Sequence, residues 1–226
     1  MNQDLLHNMS IISQLGTFRS VICLNGELPT KELLEKVNLP IIAVDGASKI
    51  LHQIDVQPQL IIGDLDSDDQ DILPNVERIY TPDQDYTDFQ KTIAYLNEND
   101  LLPGVVCGVS GGYIDHILHN ISVFSQTNSI FITDHQIGFM LDKNLTFKLP
   151  INSKISIIGC PGAIINSQGL KWELENYQID MFNFNSLSNR TVKEKIKLDI
   201  ICGKVLVIVY MSHIIDAGSI SGKVSY

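Results

Sequence analysis

The sequence predicts an α/β + β chain: an N-terminal parallel α/β unit over residues 1–142, followed by a C-terminal antiparallel β-sandwich over residues 143–226. Three observations carry this. Up to residue 134, near-continuous apolar runs alternate with stretches of helical spacing, the pattern of a parallel, Rossmann-like sheet covered on both faces. After about residue 136 the helical spacing stops, and β-type runs follow one another between Gly, Pro and polar breaks. Charge divides at the same place. Residues 1–142 hold 6 Lys+Arg against 20 Asp+Glu, a balance of −14, and residues 143–226 hold 10 against 6, a balance of +4.

Taken in order, "SVICLNG" (20–26) is a β-rich run closed by Asn-Gly, and "PTKELLEKV" (29–37) has helical spacing. "PIIAVDG" (40–46) reads as a strand, "ASKILHQI" (47–54) as a helix, and "PQLIIGD" (58–64) and "VERIYT" (76–81) as two further strands. The clearest helix is "TDFQKTIAYLNEND" (87–100), where Thr87 and Gln90 form a capping-box pattern and Phe89, Ile93 and Leu96 share a face. "GVVCGVSGG" (104–112) is a strand entering a glycine-rich turn, "YIDHILHNISVFSQ" (113–126) a helix, and "SIFITD" (129–134) a strand. Beyond these, "GFMLD", "LTFKLP", "KISIIGC", "GLKWELEN", "RTVKEKIKLDIICG" and "KVLVIVYMS" all read as β-type. Within them "VKEKIKLDI" (192–200) alternates apolar and charged residues, as a half-exposed strand does. The terminal "AGSISGKVSY" (217–226) is small and polar and reads as a frayed end.

Composition excludes several classes of function. Hydrophobic residues make up 44% and charged residues 19%, ordinary for a globular protein, and no apolar run nears the ~20 residues that span a bilayer. "MNQDLLHNMSII" lacks the basic start of a signal peptide. Cys23, Cys107, Cys160 and Cys202 stand singly in apolar stretches and read as reduced thiols of a cytoplasmic protein. A net charge of −10 argues against a general nucleic-acid binder.

Ligands of a parallel α/β sheet bind beyond the carboxyl ends of its strands. Four acidic features fall there: Asp45-Gly46, Asp64-Leu65-Asp66, "TPDQDYTD" (81–88) and "SGGYID" (110–115). Carboxylates brought together repel one another unless a cation intervenes, and a hard divalent ion such as Mg²⁺ suits an all-oxygen set. The sequence has no G-x-x-x-x-G-K-[ST] loop and no G-x-G-x-x-G with its acidic partner. Nucleotide phosphates would therefore be gripped by a metal and scattered basic groups. Blander readings stand beside this one. Asp45 can cap the following helix, Asp88 can serve only the helix dipole, and Gly111-Gly112 can be only a tight turn. Asp68, Asp69 and Asp71 read as solvated or helix-start acids, and His116 and His119 as helix-surface or packing residues.

"VDGASKIL…PQLIIGDLDS", "TPDQDYTDFQKTI", "GGYIDHILHNI", "GLKWEL" and "SLSN" resemble, in order, the motif series of thiamine pyrophosphokinases, from about residue 20 to about residue 210. The resemblance implies an α/β catalytic, ATP- and Mg²⁺-binding domain, then a β-sandwich that binds thiamine, with homodimers whose thiamine site crosses the subunit interface. It implies Asp64, Asp66 and Asp88 as ligands of Mg²⁺, with Asp115 beside them in catalysis. It sets Asp45, Gln84, Asp85, Lys91, Gly111 and Gly112 around ATP, and Trp172, Ser188 and Asn189 around thiamine. An aromatic face suits the cationic thiazolium of thiamine. Two residues depart from the family pattern: Tyr113 stands where Arg is common, and Leu65 where Phe is usual. Loss of that arginine leaves Lys91, Lys49, Arg190 or the metal to meet phosphate. The activity implied is pyrophosphoryl transfer from ATP to the thiamine hydroxyl. A pterin diphosphokinase, a sugar-nucleotide transferase using the Asp-x-Asp, and a non-catalytic thiamine- or nucleotide-binding module are the competing readings.

Overall fold

A strand that is apolar at every position must be covered on both sides, because successive side chains point to opposite faces. The computed structural model describes residues 3–66 and 72–211, with side chains from Met9 onward. In it β1 (Ser20–Cys23), β2 (Ile41–Val44), β3 (Leu60–Gly63) and β5 (Gly104–Cys107) are buried at every position. With β4 (Glu77–Tyr80) and β6 (Ile130–Ile132) they pair in parallel, in the order β6–β5–β1–β2–β3–β4. Val21, Cys23, Ile41 and Ile61 meet one layer of helices: α1 (Gln3–Leu15), α2 (Lys31–Val37) and α3 (Ala47–Gln53). Ile22, Ile42, Ile62 and Val106 meet the other, through Phe89 and Leu96 of α4 (Asp88–Glu98) and Val123 and Phe124 of α5 (Ile114–Phe124).

The remaining strands are β7 (Gln136–Leu141), β8 (Leu145–Lys148), β9 (Lys154–Gln168), β10 (Tyr177–Asp180), β11 (Ser186–Arg190) and β12 (Lys195–Tyr210). β7 pairs antiparallel with β6, and the ladder continues through β12 and β9 to β10. Among the described residues, the parallel and antiparallel parts therefore form one sheet of 12 strands. The two long strands change neighbours halfway. β12 pairs with β8 from Lys195 to Leu198 and with β7 from Val205 to Tyr210; β9 pairs with β11 at its start and β10 towards its end. Register shifts at Ile200/Cys202 and Gly203/Val205 mark the change, and bulges bend a ladder in this way. The bend brings Phe139 of β7 edge-on to Phe147 of β8, centroids 5.9 Å apart, over a core of Ile155, Ile157, Ile196 and Val207.

Three expectations are corrected here. "GLKWELEN" is a loop, apart from one bridge between Leu170 and Thr191, because its polar groups are satisfied by side chains rather than by a ladder. "KISIIGC" does not stop at Pro161, which falls in the irregular stretch of β9 where no ladder donor is required. The two last runs are one strand, β12, passing through Gly203 at its bend. The sequence reading assigned no helix to the N-terminal stretch that forms α1, where Ile11 and Ile12 are buried. Asp68, Asp69, Asp71 and the terminal segment 217–226 lie outside the described residues.

Candidate active site

The sheet order reverses between β5 and β1, and the loops beyond those strands form the switch-point crevice. Two backbone bonds join the loops. Leu24 N–H donates to Cys107 O at 2.9 Å, and Glu27 N–H donates to Ser110 O at 2.7 Å. Gly111 has φ +87°, and a Cβ on it would lie 2.8 Å from Glu27 N, so the close approach requires glycine. Gly112 leads from there into α5. A cavity of about 870 Å³ opens beside these loops, lined by Glu27, Leu28 and Ser110 and by Lys154 and Arg190 of the β part.

Next along the same rim, the ends of β2 and β3 converge. Asp45 leaves β2 with φ +41°, its N–H donating to Ile62 O at 2.9 Å. A Cβ on Gly63 would sit 2.8 Å from Asp45 Cβ, so the bare glycine lets Asp45 lie across the end of β3. Asp64, Leu65 and Asp66 follow. Leu65 has φ +61°, uncommon for a branched residue, and packs against the core beneath. The carboxylate oxygens of Asp45, Asp64 and Asp66 come within 4.8 Å of one another. Mg²⁺ binds oxygen at about 2.1 Å and keeps several waters, so three such carboxylates fit it in charge, donor type and spacing.

Asp64 is further held from the neighbouring loop. Gln84 Nε2 donates to its Oδ2 at 3.1 Å and Asp66 N–H to its Oδ1 at 3.3 Å. The Gln84 bond first, then the Asp66 amide, keeps the Asp64 carboxyl below the usual carboxylate range, with the charge of Lys91 acting in the same sense. Lys91 is almost wholly buried. Its ammonium donates to Thr81 O at 2.8 Å and Asp83 O at 3.0 Å, and pairs with Asp88 Oδ1 at 2.7 Å. Asp88 occupies the first position of α4, set there by the Thr87–Gln90 capping box. The structure thus joins Asp64 and Asp66 to Asp45, and places Asp88 on Lys91. Asp85 is exposed, its N–H donating to Asp83 Oδ1. Asp115 is exposed in the first turn of α5, and Tyr113 at the N-cap of that helix is 80% exposed.

In the β part the three expected thiamine residues share one corner. Asn189, 1% exposed, accepts from Trp172 N–H at 3.2 Å and Arg190 N–H at 2.8 Å, and donates to Trp172 O at 2.8 Å. Its amide is consumed in presenting Trp172, whose ring stays 56% exposed with the Lys171 ammonium 4.7 Å from its centroid. Ser188 is exposed, with φ +56° and its N–H on Ser156 Oγ. Glu173, which the sequence reading passed over, braces the same loop by accepting from Gly169 N–H, Leu170 N–H and Ser167 Oγ. His119, expected on the helix surface or in packing, reaches the start of α4: its Nε2 lies 3.0 Å from Thr87 Oγ1. The signal for it was its i,i+4 spacing from Asp115. Among the described residues, no hydrogen bond or ion pair links this corner to the acidic rim within one chain.

Residues 30–133 match the family model "Thiamin pyrophosphokinase, catalytic domain", and residues 141–204 match "Thiamin pyrophosphokinase, vitamin B1 binding domain". Thiamin pyrophosphokinase 1 of Caenorhabditis elegans is 31% identical over 178 residues, covering 70% of this chain and 73% of its own. Thiamine pyrophosphokinase 1 of Arabidopsis thaliana is 26% identical over 238 residues, covering 86% and 89%. The structure of the Candida albicans thiamin pyrophosphokinase superposes with a TM-score of 0.75 at 18% identity, over 89% of this chain and 92% of its own, and that of the yeast enzyme with 0.75 at 17%, over 93% and 90%. An acidic rim on a parallel sheet, an antiparallel part presenting Trp172, and both family matches in the expected order agree: the chain belongs to the thiamin pyrophosphokinase family.

Proposed function

We propose that the chain transfers the pyrophosphoryl group of ATP to the primary hydroxyl of thiamine, giving thiamine diphosphate and AMP. The observation that carries this is the convergence of Asp45, Asp64 and Asp66 at the ends of β2 and β3 in a chain of this family. These three residues would hold Mg²⁺, with Asp64 kept ionised by Gln84 and the Asp66 amide. The chemistry such an ion would supply is neutralisation of charge on the phosphate oxygens. Asp88 acts through Lys91: it fixes the buried ammonium, whose other protons go to Thr81 O and Asp83 O, so that Lys91 holds the 81–87 loop and places positive charge near Asp64. Gln84, Asp85 and the Gly111-Gly112 turn line the nucleotide's path.

Asp115, at the exposed end of α5, orients the thiamine hydroxyl and accepts its proton as oxygen bonds to the β-phosphorus. The bond from that phosphorus to the α–β bridging oxygen then breaks, and AMP leaves. Trp172 stacks on the cationic thiazolium, beside Ser188, while Asn189 holds the loop. Two copies of the chain pair, so that this corner of one copy completes the acidic rim of the other. Apolar side chains left exposed on both parts support the pairing: Tyr113, Ile114 and Leu118 on α5, and Phe182, Phe184 and Leu187 on the β part. No helix among the described residues is long and apolar enough to cross a membrane. Four free cysteines support a cytoplasmic setting.

The test is product release from purified protein given ATP, thiamine and Mg²⁺. Equimolar AMP and thiamine diphosphate, both lost when the metal is chelated, is the expected result. Release of ADP, or thiamine binding without AMP, would overturn the reading.

A further inference from the structure

Within one copy of the chain, the core anchors helix α5 at one end only. Ile121, Val123 and Phe124 join the core, whereas Ile114 and Leu118 are 70% and 53% exposed and no side chain from Ile114 to Asn120 enters it. Yet the free end carries Asp115, and α4 opposite begins at Thr87 and carries Asp88. One side-chain bond spans the gap, His119 Nε2 to Thr87 Oγ1 at 3.0 Å. Residues four apart lie on one helical stripe, so the ring that reaches α4 sits one turn behind Asp115 and on its side. The Thr87 hydroxyl has one proton and two lone pairs. It accepts from Gln90 N–H, and Gln90 Oε1 lies 3.1 Å away to receive its proton. With its proton on Gln90 Oε1, the hydroxyl keeps a lone pair that the Nε2–H form of His119 fills.

We infer that His119 is a positioning residue, which locks the free end of α5 to the N-cap of α4 and so sets Asp115 relative to Asp88. The inference rests on the proposed role of Asp115 in pyrophosphoryl transfer. It adds that, within one copy of the chain, the acceptor side of the site is aligned by a bond between two helices rather than by the core. In the capping-box network this one bond is shared: the hydroxyl that starts α4 also receives the donor from α5.

Two variants decide it. His119→Phe keeps a ring without a donor, and His119→Gln restores an amide donor near the place of Nε2. Amide exchange of residues 117–120 is expected to quicken about tenfold in His119→Phe, the scale of one lost hydrogen bond, with the exchange of 121–124 and the melting temperature little changed. kcat/KM for AMP formation is expected to fall about tenfold, mostly in kcat, as for a misplaced reacting group. His119→Gln should recover both. In an Asp115→Asn background His119→Phe should cost almost nothing further, since it acts through that carboxylate. Unchanged exchange at 117–120, additive losses in the double variant, or no recovery by Gln would each overturn the inference. A wild-type chain that forms no AMP would sink the enzyme reading instead, and the exchange measurement would still decide whether His119 holds α5.

Discussion

At Asp64 a single side chain sets the charge of the site. Gln84 donates to its carboxylate, and the carboxyl stays ionised below the range where an ordinary aspartate protonates. A depressed folded value means stability present above the unfolded value and lost as pH falls through the folded one. Gln84→Leu should therefore raise the Asp64 titration toward the ordinary range, and with it the acid limb of unfolding; an NMR titration of the metal-free chain reads the shift directly. Asn189 makes the opposite kind of contribution, in the β part. Its buried amide closes both ends of a bond pair with Trp172 and also receives Arg190 N–H. Asn189→Ala should cost about 2–3 kcal/mol in denaturant unfolding, because two backbone donors lose their acceptor. Trp172→Ala, which removes an exposed ring, should lower thiamine affinity with little effect on stability.

Elements were legible where one physical rule governed them. The strands β1, β2, β3 and β5 showed as apolar runs because helices cover both their faces, and α4 showed because Thr87 and Gln90 state its start explicitly. Where two rules competed, the reading missed. Trp172 and Leu174 have strand-like preferences, but Glu173 and Asn189 satisfy the backbone of that loop with side chains. Pro161 and Gly203 are stop signals in isolation, yet they lie where two long strands bend and ladder bonds are already missing. In the site, Asp64 and Asp66 were legible as a pair. That Asp45 also stands with them depends on the end of β2 crossing the end of β3, and Gly63 is the element's allowance for it. Gly63→Ala should force the strand ends apart and weaken Mg²⁺ binding by at least tenfold in calorimetry, with the secondary structure kept.

Across the whole molecule, β6, β7 and β12 carry the hydrogen-bonded ladder from the parallel strands into the antiparallel ones without a gap. Chain segments that share a ladder melt together, so thermal unfolding should give one transition by calorimetry and circular dichroism alike, where two independent domains would give two. The same continuity limits how the molecule can move. Enzymes that close two lobes over a substrate swing about a few loop residues between otherwise separate bodies. Here the boundary between the lobes is itself a β-sheet, stiff against bending in the direction a clamp would need. Local motion then falls to the 81–87 loop and the Trp172 loop, with α5 held to α4 through His119. A frame of this kind leaves any motion needed for binding to short segments at its rim, each held by a few side-chain bonds that a single substitution can remove.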